Sequence, residues 1–96
     1  MRTYEMMLIV NPQMDEEALQ ATLNKVSGWV TANKGEVIKT DRWGTRRLAY
    51  PIKGLRDGQY VVLQFKMDPK ATRPLEHNLK MSEEIVRYLL VKLDED

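Results

Sequence analysis

The chain has 96 residues, 43% hydrophobic and 30% charged, with a formal net charge of +1 and no cysteine. That length suits one compact domain, read here as residues 1–96, and the near-neutral charge argues against a protein that coats nucleic acid over its whole surface. Without cysteine there are no disulfides, thiolate metal sites or cysteine nucleophiles.

Residues 3–10 alternate: Tyr4, Met6, Leu8 and Val10 make one apolar face, and Thr3, Glu5, Met7 and Ile9 a mixed one. This period of two predicts a strand with one face in the core, stopped by Asn11-Pro12. Asp15 is placed to cap a helix whose first turn holds Glu16 and Glu17. Leu19, Leu23, Val26 and Val30 form its buried stripe. Gly28 weakens the helix by about 1 kcal/mol relative to alanine, and Gly35 is expected to end it.

Glu36 to Lys53 reads as a long, irregular strand with a bulge at Trp43-Gly44. Pro51 cannot donate to a ladder, which puts this strand at a sheet edge. Gly54 to Gly58 reads as a loop with Arg56 near its tip. Gly58 to Met67 reads as a strand with Val61, Leu63, Phe65 and Met67 toward the core. Asp68-Pro69 starts a second helix with the stripe Ala71, Leu75 and Leu79, although Pro74 blurs its first turn. Ile85 to Leu93 is a last strand.

The order βαββαβ predicts an α+β, ferredoxin-like sandwich. Right-handed crossovers around a central hairpin give a four-stranded antiparallel sheet of order 4-1-3-2 with two helices on one face. The other face is expected to be open. It would carry Met7, Ile9, Tyr60, Val62, Arg87, Leu89 and Val91, and a face this apolar points to a partner surface.

Charge is unevenly spread. Lys39, Arg42, Arg46, Arg47, Lys53 and Arg56 fall in one stretch with the single acid Asp41, and acids gather at Asp15-Glu16-Glu17 and Asp94-Glu95-Asp96. No apolar run approaches the ~18 residues of a membrane helix, so no membrane role is expected. Glu5 and Asn11-Pro12 break up any signal peptide.

Trp43-Gly44-Thr45-Arg46-Arg47-Leu48-Ala49-Tyr50-Pro51-Ile52 resembles the signature of the bacterial small-subunit ribosomal protein six family. Met1-Arg2-Thr3-Tyr4-Glu5, Gly58-Gln59-Tyr60 and Ile85-Val86-Arg87-Tyr88 are similar to it as well, so the likeness runs from residue 1 to about residue 93. The resemblance implies a non-catalytic assembly protein of the cytoplasmic ribosome. Such a protein would bind the central domain of small-subunit ribosomal RNA as a heterodimer with ribosomal protein eighteen and hold a helical junction folded. It also implies RNA contact by Arg2, Tyr4, Arg87 and Lys92. Charge alone adds Lys53, Arg56 and Lys66, because arginine offers phosphate a planar fork and lysine a point charge. Some members carry long charged tails; with the sequence stopping at Asp96, any tail function is expected to be absent or reduced.

The edge strand with Arg42, Trp43, Arg46, Arg47, Leu48 and Tyr50 is the expected protein-partner site. Edge N–H and C=O groups invite an extended segment, and Trp43 is a candidate anchor. Edge arginines also block unwanted sheet pairing, and the isolated chain is expected to be monomeric. Three other readings share the topology, of which a ligand-sensing dimer finds no pocket chemistry in the sequence to support it. An RNA-recognition motif needs open-face aromatics, but Tyr60 is followed outward by Val62. An acylphosphatase-like enzyme needs an anion-cradling first loop, but Asn11-Pro12-Gln13-Met14 has neither glycine nor a basic residue. His77 has no evident catalytic partner and reads as a surface helix residue; Asp15, Glu16 and Glu17 read as helix-start acids rather than metal ligands. No cofactor, metal or small-molecule substrate is expected.

Overall fold

The computed structural model describes residues 1–93, so the acidic end Asp94-Glu95-Asp96 lies outside the described residues. The elements are β1 (Arg2–Val10), α1 (Glu16–Ala32), β2 (Glu36–Ile52), β3 (Leu55–Met67), a 3₁₀ turn (Pro69–Ala71), α2 (Thr72–Met81) and β4 (Ile85–Lys92). They build one antiparallel sheet of order β2-β3-β1-β4, which is the expected 4-1-3-2 read from the other edge. Both helices bury their stripes against one face. Leu19, Leu23, Val26 and Val30 of α1 and Leu75 and Leu79 of α2 meet Tyr4, Met6, Leu8, Val10, Val61, Leu63, Phe65 and Met67 in a single core.

Local chemistry explains most boundaries. Asp15 Oδ1 accepts the Ala18 N–H at 2.8 Å and caps α1. The end of α1 differs from expectation. The left-handed step falls on Lys34 (φ 63), where a Schellman pair closes the helix: Lys34 N–H to Thr31 O at 3.0 Å and Gly35 N–H to Val30 O at 2.9 Å. Gly35 is needed for a different reason, since a Cβ there would lie 2.7 Å from the Lys66 carbonyl oxygen and 2.8 Å from Val30 Cγ1. Asp68-Pro69 starts not α2 itself but the 3₁₀ turn that leads into it: Asp68 Oδ1 accepts the Lys70 N–H at 2.9 Å, while α2 begins at Thr72 without a side-chain cap and holds Pro74 in its first turn, where a missing N–H costs little.

The β2–β3 hairpin corrects two expectations. Its turn is Lys53-Gly54 alone, with φ of 52 and 80, the I′ pattern whose twist suits a two-residue hairpin. Residues 54–58 are therefore not a loop, and Arg56 lies within β3. The bulge at Trp43-Gly44 is present as a register shift between Arg42 and Gly44, with Gly44 at φ 84. A further shift between Arg47 and Ile52 bends the hairpin end over the sheet. Leu48 thereby joins Ile9 and Val86 in a second small core, flanked by Ile52, Leu55 and Tyr60. The open face is thus only partly open: Ile9 and Val62 are buried, while Leu89 and Val91 stay exposed on β4.

Candidate nucleic-acid and partner interface

The sheet register sorts the expected RNA-binding residues into two groups. Arg2 pairs with Met67, Thr3 with Lys66 and Tyr4 with Lys92, so Arg2, Lys66 and Lys92 gather at one end of the sheet. Ile9 pairs with both Arg87 and Tyr60, which puts Arg87 at the other end. Six residues of β1 separate the two groups, or about 20 Å at the rise of an antiparallel strand. Tyr4 departs from its group. Its ring is buried and stacked on Phe65 at 5.6 Å between centroids, which makes it a core residue rather than an RNA platform.

At the second end the curled hairpin brings distant residues together. Lys53, from the turn, and Arg87, from β4, line one recess of about 270 Å³ with Lys80 of α2. Arg87 Nη1 donates to the Tyr50 hydroxyl at 2.7 Å across 37 positions of sequence. An RNA expectation and a partner expectation therefore meet in one hydrogen bond. Arg56 lines a neighbouring recess with Arg47 and Tyr50. Tyr88, beside Arg87, is fixed from below: its hydroxyl donates to Glu76 Oε1 at 3.0 Å, and burial followed by that bond holds its phenol above the ordinary value.

The expected partner residues on β2 split by face. Arg42 pairs in register with Val61, a core-facing position, and reaches the start of α1, donating to both oxygens of Glu16 at 2.6 and 2.8 Å. That bidentate bond, above all, holds the Glu16 carboxyl below its usual range and the Arg42 guanidinium above its own. Arg42 is therefore a strap between sheet and helix. Trp43 is 47% exposed with the Arg46 guanidinium 5.6 Å over its ring, so it is no core residue. Arg47 stands 4.0 Å from Asp57 and is well exposed. Leu48 is buried in the second core and offers no side chain to a partner. Tyr50 is exposed at the hairpin end. An apolar slot of about 180 Å³ between Met7, Ile9, Tyr60 and Leu89 continues the uncovered part of the face, with Arg87 on its rim.

The rival readings find little support. Tyr60 is half-buried against the hairpin core and Val62 is buried, which leaves no row of open-face aromatics for bases. The first loop is closed by its own carbonyls: the Gln59 side-chain amide donates to Asn11 O and Met14 O, both at 3.3 Å. His77 is exposed on α2, and among the described residues no cluster of three His, Cys, Asp or Glu could hold a metal. Among the described residues no helix is long and apolar enough to cross a membrane. Sequence reasoning missed Lys80 and the Tyr50–Arg87 bond. A lysine one position after a stripe leucine looks like any surface cation, and the bond depends on a curl no local pattern encodes.

Comparison with known proteins places this geometry. The family model described as Ribosomal protein S6 matches residues 3–92. The chain belongs to the ribosomal protein S6 family. It is 42% identical over 95 residues to the small ribosomal subunit protein bS6 of Heliobacterium modesticaldum, covering 99% of each. It is 43% identical to that of Clostridioides difficile over 91 residues, covering 95% of this chain and 98% of the other. Against the longer Gloeothece citriformis protein, 42% identical, it spans 54% of the length. The crystal structure of 30S ribosomal protein S6 from Thermotoga maritima superposes with a TM-score of 0.89 at 32% identity, covering 95% of this chain and 86% of that one. The family is a structural component of the bacterial small ribosomal subunit, which acts in the cytoplasm.

Proposed function

We propose that the chain binds the central domain of small-subunit ribosomal RNA together with ribosomal protein eighteen, and that the pair stabilises a folded helical junction during assembly. One observation carries the RNA half: two groups of cations at opposite ends of the sheet, about 20 Å apart on the strand rise, with Arg2, Lys66 and Lys92 at one end and Lys53 and Arg87 at the other. Two anchored ends suit a duplex read through its backbone and shape rather than its bases. Arg56 extends the second group. The protein half rests on the exposed edge of β2 with Trp43, Arg46, Arg47 and Tyr50, and on the apolar stripe Leu89 and Val91. Edge backbone groups, a large anchor and flanking charge supply affinity, position and selectivity in turn. Isolated, the chain is a monomer, and it turns over no substrate.

Arg2→Ala and Arg87→Ala test the RNA half. RNA affinity is measured across a salt series with ribosomal protein eighteen present. Each lost phosphate contact should lower the slope of log affinity against log salt by about 0.7–0.9 in magnitude. Wild-type behaviour of both variants at every salt concentration would make these arginines ordinary solvated charges.

A further inference from the structure

The turn Lys53-Gly54 ends a hairpin that Leu48, Ile52 and Leu55 hold down on the sheet. That places Lys53 against β4, from which β3 and β1 would otherwise separate it. The recess there is lined by Lys53, Lys80 and Arg87, and no carboxylate is among its lining residues. Two acids of the adjoining elements are engaged elsewhere: Glu76 accepts from Tyr88, and Glu84 lies 3.4 Å from Lys25 Nζ. Three gathered cations repel one another until an anion enters, and an anion entering there meets charge-assisted donors from three elements. The recess of about 270 Å³ has room for a phosphate with several waters. Arg87 spends one N–H on Tyr50, which fixes its plane and leaves the rest of its five-donor fork for a ligand.

We infer that this recess binds one backbone phosphate of the RNA. Lys53 and Lys80 act as point charges and Arg87 as the fork, with the Tyr50 hydroxyl as the positioning group for Arg87. The inference rests on the RNA-binding reading above. It adds to that reading a defined site, a contact residue on α2 and a positioning residue on the hairpin.

The test uses the heterodimer with ribosomal protein eighteen and a fragment of the central domain of small-subunit ribosomal RNA, titrated between 0.1 M and 1 M salt. Lys80→Gln should lower the magnitude of the log–log slope by about 0.7–0.9, which is a five- to eightfold loss at 0.1 M relative to 1 M. Lys70→Gln, in the 3₁₀ turn that precedes α2, should leave it unchanged. Tyr50→Phe keeps every charge, so its slope should match wild type while affinity falls about threefold. That loss should vanish when Arg87 is already glutamine, the signature of a residue acting through another. Wild-type affinity and slope in Lys80→Gln, with tight binding by the wild-type heterodimer, would overturn the phosphate site and leave the RNA-binding reading standing. A wild-type heterodimer that ignores the RNA would overturn both. Should Lys80→Gln weaken heterodimer formation and not RNA binding, the recess takes an acidic side chain of the protein partner and the inference is wrong.

Discussion

Leu48→Ala should loosen the hairpin and, through it, RNA binding. Leu48 is 7% exposed and packs with Ile9 and Val86. Alanine removes three carbons, a transfer loss of about 2.4 kcal/mol at ~0.8 kcal/mol per carbon. The cluster is small and lies near the hairpin end, where collapse and water entry keep the added cavity term low, so the total is about 2–3 kcal/mol. For a domain of this size that lowers Tm by about 10–20 °C. The variant keeps every charge, yet the Tyr50–Arg87 bond depends on the curl that Leu48 secures. RNA affinity measured well below the new Tm should therefore fall with the salt slope unchanged. Circular dichroism melts and urea titrations give the stability term, and filter binding gives the affinity. A Tm within about 2 °C of wild type would refute the reasoning, because a side chain this buried cannot be removed so cheaply if it holds the hairpin down.

Four further outcomes follow from named contacts. Gly28→Ala should stabilise the chain by about 0.5–1 kcal/mol, because the site is helical and a Cβ there meets nothing within 4 Å. Gly58→Ala should cost about 1–3 kcal/mol in a urea titration, since its Cβ would lie 2.4 Å from Ile9 Cγ2 in the second core. Arg42 depresses the Glu16 pKa, so the stability that pair contributes is present above the ordinary value of 4.5 and disappears as pH falls through the folded value. The Tm gap between wild type and Glu16→Gln should accordingly close on acidification below that range. Arg47→Glu should weaken heterodimer formation while shifting Tm by no more than about 2 °C, because Arg47 is exposed and its nearest acid is 4.0 Å away.

The core was legible because it is written in periods: alternation in residues 3–10 and 58–67, and the four-three-four spacing from Leu19 to Val30, name the same side chains the structure buries. The bulge and the edge position of β2 followed from a glycine and a proline with single physical meanings. The hairpin end is not legible locally because Lys53 takes the first left-handed position of an I′ turn, a place more often held by asparagine or aspartate. A turn placed at residues 54–58 makes Leu55 and Arg56 loop residues and gives no curl over the sheet. Losing the curl hid the second core, turned Leu48 into an apparent contact residue, and kept Tyr50 and Arg87 apart. Arg42 shows the same limit on a smaller scale: its partner, Glu16, lies 26 positions away and is reached only because the strand and the helix start are neighbours.

The most direct measurement is the mass, by sedimentation equilibrium, of the complex formed from this chain, ribosomal protein eighteen and a central-domain fragment of small-subunit ribosomal RNA. The account predicts a monomer for the chain alone, a one-to-one heterodimer on adding the protein partner, and a one-to-one-to-one complex on adding the RNA, which dissociates as salt is raised. A chain that stays alone with both partners present, or one that pairs only with itself, would contradict it.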